Sequence, residues 1–174
     1  DSGKKGCIDS CIEEIPNNVK KTIIYNEKNI GQIKSIDKAY SFVNTEYIFH
    51  CEDDWVFYKS GFIEESMRIL NSDKSVFCVW LRPYRNNVVL RNGHPILPTV
   101  YDNHYRKLGT FQERNNIWCG FTFNPGLRRT CDYLVNAPYS KLENKDKLCG
   151  GIEAVLSKWY YQQQFCAAIT TIED

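Results

Sequence analysis

An apolar run ends in three consecutive carboxylates within TEYIFHCEDDWVF, residues 45–57. Glu52, Asp53 and Asp54 follow the segment EYIFHC directly, and Trp55 and further apolar residues come immediately after them. A continuous apolar strand of this kind is typical of a sheet that is covered on both faces. The run therefore predicts a buried strand that ends in three negative charges.

Helical and extended patterns alternate around this strand. Apolar spacing predicts helices over CIDSCIEEI, NIGQIKSIDKAYSFV, SGFIEESMRIL, PGLRRTCDYLV and CGGIEAVLSKWYYQQQ. Strands are predicted at KTIIYN, EYIFHC, SVFCVWL and NIWCGFTF, with short antiparallel hairpins at a sheet edge over residues 82–112. No linker or repeat interrupts the 174 residues. The alternation predicts a single α/β domain, residues 1–174, with a mixed, mainly parallel sheet.

Charge and cysteine usage limit the possible partners and compartment. The chain carries 22 basic and 21 acidic side chains, a net charge of +1, which gives no reason to expect nucleic acid or a membrane surface as partner. No apolar stretch approaches the roughly 20 residues of a membrane span. The eight cysteines are scattered and form no zinc-site pattern. We therefore expect a cytoplasmic protein with no transmembrane segment and with reduced, buried thiols.

The position of the carboxylates indicates a ligand site. In open α/β sheets, ligands bind beyond the carboxyl ends of the strands. Neighbouring carboxylates repel one another unless a cation lies among them, and Mg²⁺ or Mn²⁺ with a substrate's phosphates meets that need. The alternative is a solvated cluster or a helix cap. Flanking aromatic residues, and a helix that begins only near Ser60, favour the metal and diphosphate.

The run NEKNIGQIKSIDKAYSFVNTEYIFHCEDDW resembles the core of nucleotide-sugar-dependent glycosyltransferases of the A-type fold, especially the family-two class. In these enzymes Asn-x-Gly opens a helix, and the strand that follows ends in a triplet similar to Asp-x-Asp. The resemblance implies a Rossmann-like, three-layer α/β/α fold. It also implies a Mn²⁺ or Mg²⁺ ion on Asp54, a ribose contact from Asp53 and a supporting role for Glu52.

The resemblance also implies contacts with the nucleotide sugar outside the triplet. DSG at Asp1 is similar to the acidic turn that binds the base, and the first strand of the fold would then precede the numbered residues. Gln32 and Lys34, after Gly31, are expected to reach the diphosphate or the base. Arg82 is expected to contact phosphate or acceptor, although an edge arginine with a stacked stem is the alternative.

Two further groups complete the predicted site. Inverting members of this fold place an acidic base near the start of a late helix, which here corresponds to Glu153; the alternative is a glutamate favoured by the helix dipole alone. Trp118, with Trp80, is a candidate platform for an acceptor sugar, whereas tryptophans in strands are more often core residues. Glu143 and Asp146 lie in a lysine-rich polar segment, and His50, His94 and His104 show no metal-ligand spacing.

The residues and the resemblance together predict a metal-dependent glycosyltransferase that moves a sugar from a nucleoside diphosphate sugar to a hydroxyl of a glycan or other acceptor, with inversion. A nucleotidyltransferase is one alternative, but the glycine-rich basic loop that such an enzyme normally shows is not in the sequence. A domain that binds nucleotide sugar or carbohydrate without catalysis is the other. Loss of transfer in Glu153→Gln with nucleotide binding retained would separate an enzyme from a binding domain.

Overall fold

The computed structural model describes residues 12–82, 100–101, 105–113, 116–142 and 151–170. The chain divides into two compact units, residues 1–42 and residues 43–174. Several residues singled out from the sequence lie outside the described ranges, namely Asp1, Cys7, Cys11, His94, His104, Glu143, Asp146 and Cys149.

The first unit contains a helical turn at residues 12–14 and helix α1, Gln32–Tyr40. The strand predicted at KTIIYN is wrong, because residues 21–26 form no ladder. Instead, the ammonium of Lys38 donates to the backbone oxygen of Tyr25 at 3.2 Å and to Oδ1 of Asn26 at 2.9 Å. Ile23 and Tyr25 are exposed. A β-branched composition raises strand propensity, but a strand also needs a pairing partner.

The Asn-x-Gly element does open a helix. Gly31, the residue before α1, has φ +85°, a conformation that glycine adopts without strain. Its N–H donates to Oδ1 of Asn29 at 2.8 Å, and Oγ of Ser35 donates to its carbonyl at 2.9 Å. Of the predicted apolar face, Ile33, Ile36 and Tyr40 are buried. These local bonds fix where α1 begins.

The second unit is built on a mixed six-stranded sheet with the order β1-β7-β2-β8-β4-β3. A separate two-stranded ribbon pairs β5 with β6. The strands are β1 Tyr47–His50, β2 Val76–Trp80, β3 Val100–Tyr101, β4 Tyr105–Lys107, β5 Phe111–Glu113, β6 Asn116–Trp118, β7 Gly126–Arg129 and β8 Cys166–Thr170. The helices are α2 Phe62–Ser72, α3 Thr130–Leu134 and α4 Gly151–Gln162, with a 3₁₀ turn at Tyr139–Leu142.

The predicted α/β class is confirmed, but the prediction of a mainly parallel sheet is wrong. Among the strands of the described ranges, only β2 and β8 form a parallel pair, whereas β1/β7, β7/β2, β8/β4 and β4/β3 are antiparallel. Much of the difference comes from β7, a central strand where the sequence predicts the first part of a helix. Because β7 runs against both of its neighbours, β1 and β2 still point in the same direction.

Two features allow β7 to lie between β1 and β2. A Cβ atom on Gly126 would lie 2.8 Å from the backbone oxygen of Val79, so only glycine fits this close approach of strands. Arg129 is buried, and its guanidinium donates to the backbone oxygens of Leu70, Lys74 and Val76. Its charge is further paired with Asp132, at 2.7 Å. The buried arginine thus ties the end of α2 and the start of β2 to the sheet.

Strand β2 is the centre of the core and, as predicted, is buried along its whole length. Val76 and Val79 pack in one cluster with Ile69 and Leu70 of α2. Phe77 instead stacks on Tyr160 of α4, with 4.4 Å between the ring centroids. Helices α2 and α4, both predicted, therefore cover β2 from two sides.

Strand β1 differs from its prediction, because it lies at an edge of the sheet and is not covered on both faces. Ile48 and His50 are buried, while Phe49 between them is 37% exposed. Phe49 packs beside Phe57 and Phe62. A continuous apolar run does not show which of its residues are buried and which are partly exposed. The strand therefore has one buried face.

The described cysteines, Cys51, Cys78, Cys119, Cys131 and Cys166, are all free thiols. Cys78 and Cys119 are buried, as predicted for thiols in apolar runs, whereas Cys51 and Cys131 are exposed. Burial raises the pKa of Cys78 to about 12 and that of Cys119 to about 11, so both remain protonated. Across the part of the chain that the structure describes, no helix has the length and apolarity needed to cross a membrane.

Candidate functional site

Several candidate residues meet at one edge of the sheet in the second unit. Strands β1, β2 and β8 run in the same direction, so their carboxyl ends lie at the same edge. The amino end of β7 reaches this edge as well, because Gly126 pairs with His50 and with Trp80. Residues 51–54 leave β1 here, and Leu81 and Arg82 leave β2 here.

The acidic turn, residues 52–54, follows β1 after the single residue Cys51. Glu52 is partly buried, whereas Asp53 and Asp54 are exposed. The Cys51 thiol donates to the backbone oxygen of Glu52 at 3.1 Å. Partial burial, and then the negative charges of Glu52, Asp54 and Asp53, raise the pKa of this thiol. The turn is thus a concentrated negative charge at the carboxyl end of β1.

The donor chemistry of the acidic turn suits a hard divalent cation. Carboxylate oxygens are the ligands that Mg²⁺ and Mn²⁺ prefer, and Mg²⁺ sites often use one or two carboxylates together with water and substrate phosphates. Within the described ranges, no group of three or more His, Cys, Asp or Glu side chains is arranged to hold a metal. The carboxylates of the turn are of the kind that such an ion prefers, and the role of Asp54 as its ligand stays a prediction.

Glu153 reaches the same edge from the first turn of α4. Its Oε1 accepts a hydrogen bond from the backbone N–H of Phe123 at 2.7 Å and one from the hydroxyl of Thr122 at 3.2 Å. That hydroxyl accepts in turn from Nδ2 of Asn124 at 2.5 Å. Its Oε2 has no hydrogen bond to the described residues. Glu153 is therefore held by one oxygen, which leaves the other to accept a proton.

His50 links the acidic turn to the segment that holds Glu153. This last residue of β1 is buried, and its ring lies 5.8 Å from that of Phe123, centroid to centroid. Burial, and then the positive charge of Arg128, lowers the pKa of His50 from 6.5 to about 4. The imidazole is therefore neutral at neutral pH. The contact places the segment that holds Glu153 beside the strand that carries the acidic turn.

Arg82 stacks on tryptophan. Its guanidinium carbon lies 4.8 Å from the ring centroid of Trp55 and 5.9 Å from that of Trp80. The side chain is partly buried and lines a cavity that begins at Trp55, directly after the acidic turn. Cation–π contacts of this kind help to fix the position of a guanidinium group. The guanidinium of Arg82 thus lies over tryptophan at the cavity, and its contact with phosphate or acceptor stays a prediction.

Trp118 and Trp80 make the contacts of packing residues. The indole N–H of Trp118 donates to the backbone oxygen of Phe121 at 3.0 Å, and that of Trp80 donates to Gly120 at 2.9 Å. Their rings meet edge to face at 5.4 Å. Neither lines the cavity beside the acidic turn, where Trp55 is the tryptophan. The role of Trp118 in acceptor binding stays a prediction.

The remaining predicted nucleotide-binding residues lie outside the second unit. Gly31, Gln32 and Lys34 lie in the first unit, at the start of α1, where Gln32 and Lys34 are exposed. Asp1 lies outside the described residues. Glu52, Asp53, Asp54, Arg82 and Glu153 are the predicted residues that the second unit brings to one edge.

Sequence reasoning overlooked His50, Thr122 and Asn124 as parts of this site. His50 lacks metal-ligand spacing, Thr122 lies in the segment NIWCGFTF that the apolar pattern assigns to a strand, and Asn124 lies between that strand and the helix predicted from Pro125. The signal for Thr122 and Asn124 would have been the turn-forming pair Asn124-Pro125.

Comparison of the chain with protein-family models, with curated proteins and with solved structures finds no match.

Proposed function

We propose that this chain is a metal-dependent glycosyltransferase domain that moves a sugar from a nucleoside diphosphate sugar to a hydroxyl acceptor, with inversion. The observation that carries the proposal is the convergence of the acidic turn and Glu153 at one edge of the sheet. Ligand sites of open α/β sheets lie at the carboxyl ends of the strands, which is where β1 delivers the turn. The contact between His50 and Phe123 links the two parts.

The chemistry divides between two sets of carboxylates. A divalent ion on Asp54, when bound, would neutralise charge on the departing diphosphate. Asp53 would hold the ribose, with Glu52 in support. Glu153 would accept the proton of the acceptor hydroxyl through Oε2, while Phe123 and Thr122 hold Oε1 in place. Arg82 would donate to phosphate or acceptor from its stacked position over Trp55.

Two features of the sheet are compatible with the A-type fold that the resemblance implies. Helices α2 and α4 both contact β2. The three strands β1, β2 and β8 share one direction, so the reversed strand β7 does not remove the common carboxyl edge. By the resemblance, Gly31, Gln32, Lys34 and Asp1 would contribute nucleotide contacts.

The test is an assay of nucleotide-sugar cleavage over a panel of uridine and guanosine diphosphate sugars with Mn²⁺. We expect the wild type to release nucleoside diphosphate in the presence of an acceptor. Glu153→Gln should reduce transfer by about 10²–10⁴-fold, the usual contribution of a general base, while nucleotide binding is retained. Wild-type protein that binds no diphosphate nucleotide with or without metal would contradict the proposal.

A binding domain without catalysis is the second candidate. It is favoured by the hydrogen bonds that Glu153 accepts from Phe123 and Thr122, because they give the glutamate a structural role. This candidate predicts that the wild type binds nucleotide sugar in the presence of Mn²⁺ but does not cleave it with any acceptor. The assay above separates the two candidates.

A further inference from the structure

A cavity of about 430 Å³ opens beside the acidic turn. It lies between residues 55–61, the start of α2 and the ends of β2 and β8. Its volume is within the range of about 300–1,000 Å³ that is typical of small-molecule pockets. The acidic turn leads directly into its first lining residue, Trp55. The first residues that line the cavity therefore follow the proposed donor site directly along the chain.

Aromatic side chains form much of the cavity wall. Phe57 and Phe62 stack at 5.2 Å between centroids, and Phe49 packs against both of them from β1. Val56 and Tyr58 are 88% and 70% exposed, respectively. Adjacent exposed apolar and aromatic residues on the rim of a cavity mark a binding surface more often than chance exposure does.

The charges around the cavity nearly balance. Lys59 and Arg82 contribute positive charge and Glu64 contributes negative charge. Glu65 and Arg68, which also line the cavity, form an ion pair at 2.7 Å. A strongly charged ligand would meet charges of both signs here, whereas hydroxyl groups can donate to the carboxylates and accept from the cations. The wall therefore combines aromatic faces with polar groups of both kinds.

We infer that this cavity binds the acceptor as a neutral pyranose ring, with an apolar ring face against Phe57 or Tyr58 and hydroxyls toward Lys59, Glu64 and Arg82. The inference rests on the proposed function and adds a substrate class and a location. The reacting hydroxyl would point out of the cavity past Trp55, toward the donor at the acidic turn, where Glu153 would accept its proton.

The test is binding of free methyl pyranosides, measured by saturation-transfer NMR on the whole chain. The panel contains methyl glucoside, galactoside, mannoside and N-acetylglucosaminide. We expect at least one to bind, and Tyr58→Ala and Phe57→Leu to weaken that binding by about tenfold, equivalent to about 1.4 kcal/mol. Phe57→Leu keeps an apolar side chain in the wall, so loss of folding is not expected. Tyr161→Ala is the matched control, because Tyr161 is an exposed tyrosine outside the cavity and its loss should leave binding unchanged.

Hydrolysis of nucleotide sugar by water, without any acceptor, separates the two claims. If both hold, Tyr58→Ala and Phe57→Leu retain wild-type hydrolysis and lose transfer to the bound pyranoside. If hydrolysis is absent in the wild type but pyranoside binding is lost in the variants, the cavity assignment stands and the transferase proposal fails. No pyranoside binding, binding that the cavity variants leave intact, or binding only of an alkyl detergent overturns the inference.

Discussion

Glu153 combines a structural bond and a proposed catalytic role, and substitution can separate them. The N–H of Phe123, a residue that is 3% exposed, donates to Oε1 of Glu153. Glu153→Ala leaves this buried N–H without its partner and should lower the free energy of unfolding by about 1–3 kcal/mol. Glu153→Gln keeps an amide oxygen as acceptor and should cost less. Urea denaturation measures both, and equal losses in the two variants would contradict this account of the bond.

His50 predicts a pH dependence of stability. Its pKa is about 4 in the folded protein and 6.5 unperturbed, so the unfolded chain binds the proton first as the pH falls. The stabilisation is therefore complete above about pH 6.5 and is lost progressively toward pH 4. Each unit of difference between the two pKa values corresponds to about 1.4 kcal/mol, so the loss of unfolding free energy is on the order of 3 kcal/mol.

Urea unfolding between pH 7 and pH 4 measures this dependence, and His50→Gln serves as the control. The variant should show a shallower decline over the same window because glutamine does not titrate. An identical decline in the variant and in the wild type would show that other groups cause it.

At the scale of elements, β7 depends on a buried arginine, and the chain offers a matched exposed pair. Arg129 and Asp132 form an ion pair three residues apart with 6% and 11% of their side chains exposed. Glu65 and Arg68 form one with the same spacing, in which 44% of Arg68 is exposed. Arg129→Met strips three backbone oxygens and a buried carboxylate of their partner.

We expect Arg129→Met to destabilise the protein by about 3–5 kcal/mol, because removal of one partner leaves a buried charge uncompensated. Arg68→Met should cost less than about 1 kcal/mol, since exposed ion pairs contribute little. Thermal and urea unfolding of the two variants give the comparison. Similar costs for both would indicate that Arg129 is not a tie between α2, β2 and β7.

The elements that the sequence predicts well are those whose burial follows their hydrophobic pattern. Helices α2 and α4 and strand β2 each bury the apolar residues that the pattern assigns to the core. Strand β7 could not be found this way, because its buried residues include Arg128 and Arg129. A hydrophobic pattern counts arginine as an exposed residue. It therefore cannot predict that backbone oxygens of α2 and β2 accept hydrogen bonds from the buried guanidinium of Arg129. Because the residues of β7 were predicted to be helical, the antiparallel pairing of β7 with β1 and β2 was not predicted either.

At the scale of the whole molecule, the predicted site divides between two compact units. The acidic turn, Arg82 and Glu153 lie in the second unit, and the predicted diphosphate contacts Gln32 and Lys34 lie in the first. The prediction that Glu153 accompanies the turn came from the resemblance alone, because Glu153 lies in the first turn of helix α4 and its sequence pattern shows only a favourable helix start. The cavity after Trp55 was not predicted, since its wall comes from α2, β2 and β8 together.

Metal-dependent nucleotide binding is the most direct test of the central claim, that the acidic turn holds a divalent ion and a diphosphate. A thermal-shift panel would compare uridine and guanosine diphosphates and their sugars with and without Mn²⁺, for the wild type, Asp54→Asn and Glu46→Gln. Glu46 is the control because it is an exposed carboxylate at the other end of β1. A nucleotide at 100 times its dissociation constant should add about 2.7 kcal/mol of stability to the wild type and to Glu46→Gln, only with Mn²⁺. Asp54→Asn should lose that gain. A wild type that no diphosphate nucleotide stabilises with Mn²⁺, or an Asp54→Asn variant that keeps the full gain, would contradict the claim.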